Sequence, residues 1–195
     1  MPSVIIHEKV GDFIASKLYI KTYDFYLGIL APDAPNLEAF ASKEERWIAH
    51  QRKKDLKEWR ESITSFYQKE KENYSEEFLL GYYIHVLTDI IFDDYFYWDT
   101  RKVIEKEYPK EEAHKRLRDD MELYSFEESK RIKQILKDNN TSYDILNITK
   151  DKMIKWKEKE ISSWKEKSES KYITEEMILK LENQVYKELI ERIGV

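Results

Sequence analysis

The chain contains no cysteine, so its capacity for chemistry rests on four histidines and the carboxylates near them. Disulfides, thiolate zinc sites and cysteine nucleophiles are excluded. His85 and Asp89 are four residues apart and Asp93 is four further on, so on a helix their side chains stack along one face. They lie in Phe78–Trp98, a stretch apolar almost all the way round, which marks a buried helix. No Lys or Arg occurs between Lys71 and Arg101 to pair with these acids. A buried carboxylate needs a partner or a metal ion, because leaving it unpaired is costly. His85-x-x-x-Asp89 is therefore a candidate metal-ligand pair. The plainer alternative is a core histidine hydrogen-bonded to a neighbour, with the aspartates at a solvated helix end. In the absence of a cation, Asp89 in such apolar surroundings is expected to take up a proton.

Three further residues sit in contexts that hold a side chain rigidly. His7 falls on the same wheel face as Ile6, Val10, Phe13, Ile14 and Leu18 and so points inward. Asp33 stands between Pro32 and Pro35, in a braced turn directly after the apolar run Tyr23–Ala31. Such an Asp often only hydrogen-bonds its own backbone, but a braced loop leaving a core also holds functional groups. His50 is expected at or before the first turn of an amphipathic helix spanning about 51–72. His114 lies among lysines and arginines with Asp119, Asp120 and Glu122, the pattern of a solvated, ion-paired face. Taken in order, His7, Asp33, His50 and His85-x-x-x-Asp89 form the kind of set a hydrolytic metal site uses. Such a site combines His and carboxylate ligands with a position left for water.

The elements that must position these residues are expected to be helices. Only four Gly and four Pro are present and 37% of residues are charged, which disfavours strand-and-turn architectures. The expected fold is all-α, a multi-helix bundle around the buried helix 75–98, which Ser75 caps. Residues 1–125 form a metal-binding helical core, and residues 126–195 a C-terminal helical extension packed on it. In that extension Met153, Ile154, Trp156, Ile161 and Trp164 share one face of a first helix capped by Thr149. Met177, Ile178, Leu181, Val185 and Leu189 share one face of a last helix, and the two read as a helical hairpin. Its apolar faces serve packing onto the core or, alternatively, a homodimer. The net charge of −5 argues against bulk nucleic-acid binding. The acidic residues inside the longest apolar run argue against a membrane span. The first residues lack the pattern of a signal peptide, so a cytoplasmic location is expected.

The segments Met1-Pro-Ser-Val-Ile-Ile-His7, Leu27-Gly-Ile-Leu-Ala-Pro-Asp33, His50 and Phe78-Leu-Leu-Gly-Tyr-Tyr-Ile-His-Val-Leu-Thr-Asp89 resemble the zinc-dependent phospholipase C family. That family shares an all-helical fold with single-strand-specific zinc nucleases, and the resemblance covers roughly residues 1–125. It implies metal ligation by Asp33, His50, His85 and Asp89, with His7 in an adjoining site that shares Asp89. The chain departs from the family in three places. It begins Met-Pro-Ser where the processed phospholipases begin with a metal-binding Trp. Asp93 stands where a further histidine is usual, and His114 is followed four residues on by Arg118 rather than Glu. One or two Zn²⁺ or similar divalent transition-metal ions, not three, are therefore expected, with Asp93 in the weaker site. The implied activity is hydrolysis of a small phosphate ester by metal-activated water, with Asp33 orienting that water. The alternative is a helical interaction or regulatory protein with a structural or vestigial metal. An HD-type phosphohydrolase is disfavoured, because that family needs an adjacent His-Asp pair and no histidine here is followed by Asp.

Overall fold

A computed structural model describes residues 2–163 and 170–195. Among the described residues the chain forms ten α-helices and no sheet. They are α1 (Val4–Leu18), α2 (Tyr23–Leu30), α3 (Lys43–Ala49), α4 (Leu56–Glu70) and α5 (Glu76–Tyr95), followed by α6 (Tyr97–Ile104), α7 (Lys110–Met121), α8 (Ser129–Lys137), α9 (Lys150–Ser162) and α10 (Glu175–Ile193). Pro32 ends α2, and a 3₁₀ turn, Ala31–Asn36, follows at once. No described helix is long and apolar enough to cross a membrane.

The centre of the bundle is α5. Ser75 Oγ accepts the Phe78 N–H as the expected cap, and every residue from Phe78 to Phe92 is buried. Around it pack α1, α2, α4 and α10. The closest crossing is with α2, where Gly28 and Gly81 let the two backbones touch. A Cβ on Gly28 would strike the Phe78 carbonyl, and one on Gly81 the Phe25 carbonyl. Only glycine permits that approach. The crossing carries Asp33, just beyond α2, toward His85 on α5.

Both long C-terminal helices dock onto the core. α9 packs against the 3₁₀ turn and α8, whereas α10 packs across α5 and α1. Each therefore has its main contacts with the core rather than with the other. Trp164, which periodicity places on the α9 face, lies outside the described residues. The segment entering α10 is pinned by Asp120, which accepts the N–H groups of Lys171 at 2.8 Å, Tyr172 at 2.8 Å and Ile173 at 3.0 Å. A second tie is buried between α4 and α10, where Arg60 Nε donates to Glu188 at 2.9 Å.

Candidate metal centre

Five of the predicted residues meet at one point inside the bundle. His7 comes from α1, Asp33 from the 3₁₀ turn, His50 from the end of α3, and His85 and Asp89 from α5. His50 does not open the amphipathic helix as expected. It caps the C-terminus of α3, and α4 begins only at Leu56, with Asp55 as its N-cap. All five are buried, with Asp33 the most accessible at 6%.

Backbone carbonyls set the direction of two of the rings. His50 Nδ1 donates to the Arg46 carbonyl at 2.8 Å, and His85 Nδ1 to the Ile29 carbonyl at 2.7 Å. A carbonyl can only accept, so each Nδ1 carries the proton and each Nε2 is turned into the cluster. There the two Nε2 atoms face each other at 3.3 Å. Two lone pairs at that separation repel unless a proton or a cation lies between them. His7 stacks on His85, with ring centroids 3.7 Å apart and planes within 9°.

The carboxylates complete the set. His50 Nε2 lies 3.4 Å from Asp89 Oδ2 and 3.6 Å from Asp33 Oδ1. His85 Nε2 lies 3.9 Å from Asp33 Oδ2 and 4.0 Å from Asp89 Oδ2, while His7 Nε2 is 3.4 Å from Asp89 Oδ1. Ligands about 2.0–2.1 Å from a tetrahedral ion stand about 3.3 Å from one another. The observed spacings run from 3.3 Å, which matches that figure, to 4.0 Å, which a small inward shift of the side chains would close. Moreover, both ring nitrogens of His7 and both carboxylate oxygens of Asp89 are buried without a hydrogen-bond partner among the described residues. Polar atoms left so are rare in protein interiors. The donor types and these orphaned atoms fit a divalent transition metal, and two overlapping groups could hold one: His50, His85 and Asp89, or His7, Asp33 and His85.

Electrostatics make the cluster's charge pattern different from the one expected for an isolated Asp89. Burial pushes its carboxyl up, but His7, His50 and His85 outweigh burial and hold it below the usual carboxylate range. Asp33 is likewise depressed, burial being outweighed by His50, His85 and His7. Burial opposes charging of His50, yet Asp33 and Asp89 raise it above the ordinary histidine value. His85 goes the other way, pushed down to about 3 by burial and then by His7, against the pull of both aspartates. Asp89 is therefore an ionised acceptor, not the protonated acid that its helix alone suggests.

The structure does not bring Asp93 to this cluster. Its carboxylate takes the Arg52 guanidinium at 2.8 Å, and it lines the neighbouring cleft. Asp94 similarly meets Arg60 at 2.8 Å. The basic partners missing along α5 thus arrive from the α3–α4 turn and from α4. His114 is exposed, 3.0 Å from the Tyr97 hydroxyl, and belongs to neither ligand group.

A cleft of about 910 Å³ opens beside the cluster, and Asp33 is the cluster residue that lines it. Two positioning residues escaped the sequence reading. Asn36 Nδ2 donates to Asp33 Oδ1 at 3.3 Å, while Asn36 Oδ1 accepts the Ala41 N–H at 3.0 Å. From α9, Lys159 Nζ donates to the Leu37 carbonyl at 2.9 Å and reaches the Asn36 carbonyl at 3.4 Å. The i,i+3 spacing of Asp33 and Asn36 in one turn was the available signal for the first; nothing local announces Lys159. Comparison of the chain with family models, with curated proteins and with solved structures finds no match.

Proposed function

We propose that the cluster is a metal centre and that the protein hydrolyses a phosphate ester. The observation that carries this reading is the pair of Nε2 atoms 3.3 Å apart, each aimed by a proton-holding Nδ1 and flanked by two buried carboxylates. The motif resemblance to zinc-dependent phospholipases C supports the same reading. A divalent ion bound there supplies Lewis-acid activation of water and neutralises charge on phosphoryl oxygens. The chain's own residues then divide the remaining work. His50, His85 and Asp89 form the inner, water-excluded side. Asp33, on the cleft side, is placed to orient a water molecule and accept its proton. Asn36 holds one Asp33 oxygen, which limits the directions the other can take.

One observation favours a structural metal instead. Asp33 stands within 3.6 Å of His50, so all four donors can close around an ion and leave no position for water. Hydrolysis decides between the two. Protein loaded with Zn²⁺ is expected to cleave p-nitrophenyl phosphate or its bis-ester, to stop on chelation, and to recover on adding Zn²⁺. Stoichiometric bound metal with no turnover of either ester would favour the structural role.

A further inference from the structure

The wall of the cleft is charged in a way that the hydrolase reading does not require. Although the chain carries a net charge of −5, the cleft is lined by five Lys or Arg side chains and three acids. Of those acids, Asp33 belongs to the cluster and Asp93 is paired by Arg52. Among the described residues, no carboxylate pairs with Arg46, Lys54 or Lys159. Lys159 spends two donors on the carbonyls of Asn36 and Leu37 and has a third to offer.

Arg46 is the best organised of the three. Its guanidinium lies on the Phe40 ring, 4.1 Å from the centroid, and its Nε donates to the Ala41 carbonyl at 3.1 Å. Those contacts fix the plane of the fork and leave both terminal nitrogens for a ligand, the arrangement that recognises a phosphate or carboxylate with two parallel hydrogen bonds. Its position differs from that of the cluster. Phe40, on which it rests, is 69% exposed, whereas Asp33 is 6% exposed. The guanidinium therefore stands toward the mouth and the cluster at the floor, in a cleft far larger than one phosphoryl group needs.

We propose that Arg46, assisted by Lys54 and Lys159, forms an anion subsite, so that the substrate is a phosphate ester bearing a second anionic group, a carboxylate or another phosphate. The inference rests on the hydrolase reading for the role of the first group. The subsite holds the second group toward the cleft mouth and directs the ester inward, and the unpaired positive charge steers anionic esters into the cleft.

Binding of two non-hydrolysable probes to the Zn²⁺-loaded protein tests this by calorimetry. Phenylphosphonate offers one anionic group; 4-phosphonobenzoate offers a second across the ring. The wild type is expected to bind 4-phosphonobenzoate about tenfold tighter. Arg46→Ala should remove most of that preference and leave phenylphosphonate affinity unchanged, with Arg46→Lys retaining part of it. Lys54 is exposed and, among the described residues, its side chain makes no hydrogen bond or ion pair, so Lys54→Ala should reduce the preference without unfolding the protein. Equal affinity of the wild type for both probes, no binding of either, or an equal loss for both in Arg46→Ala overturns the subsite. Metal analysis of the same samples separates the two readings. An Arg46-dependent preference in protein that holds no metal contradicts the hydrolase alone, whereas bound metal without the preference contradicts the subsite alone.

Discussion

His85 keeps a neutral ring down to about pH 3 because burial and His7 outweigh Asp33 and Asp89, whereas in an unfolded chain it titrates near 6.5. Between those values the unfolded state binds the extra proton, so stability rises with pH and is lost as pH falls. Asp33 and Asp89, both depressed, act in the same direction at lower pH. His50, which is raised, acts oppositely: its contribution is present below 6.5 and fades as pH climbs through its folded value. Burial raises Glu8 to about 8 and Glu160 and Glu182 to about 7, which opposes this trend above about 4.5. The test is therefore a difference: the melting temperature of metal-free His85→Gln relative to metal-free wild type should rise as pH falls from 6.5 toward 3. A difference between the two proteins that stays constant with pH would count against the charge pattern described. At this scale the meeting of His85 and Asp89 was readable from the chain, since they share one helix face. The protonation of Asp89 was not, because His7 and His50 reach it from other helices. Asp93 was misplaced for the same reason: its partner, Arg52, is supplied by another turn of the chain.

Among the elements, the crossing of α2 on α5 does most to assemble the site. Gly28 and Gly81 place backbone on backbone, and each added methyl would meet a carbonyl oxygen rather than a flexible side chain. Gly81→Ala should cost on the order of 2–4 kcal/mol in thermal or denaturant unfolding, since the helices must move apart. It should also weaken metal binding, because Asp33 and His85 would separate with them. A Gly81→Ala protein of unchanged stability and metal content would contradict this account of the crossing. The two Leu-Gly motifs were visible in sequence, and so were the caps Ser75 and Thr149. Ser3 illustrates the opposite case. It occupies the N-cap position of α1, yet its hydroxyl donates to the Met121 carbonyl at 3.0 Å instead of accepting from the helix. A tertiary partner far along the chain has overridden the local preference.

For the molecule as a whole, the low Gly and Pro content and the apolar run around His85 pointed correctly to an all-helical bundle about α5. The part taken by the C-terminal third was less visible. Amphipathic spacing indicated packing onto the core, but not that Lys159 of α9 would clasp the turn holding Asp33. The site thus draws on all three thirds of the chain, and an ion at its centre would tie α1, α3, α5 and the 3₁₀ turn together. Elemental analysis of protein purified without chelator, paired with its melting curve before and after chelation, tests this most directly. One or two divalent transition-metal ions per chain are expected, with a fall in melting temperature of several degrees when they are removed, since binding to the folded state alone stabilises it. Asp89→Asn should lose the metal and His114→Ala should keep it. A metal-free wild type with a melting curve that chelator does not change, or an Asp89→Asn protein with full metal content, would contradict the assignment.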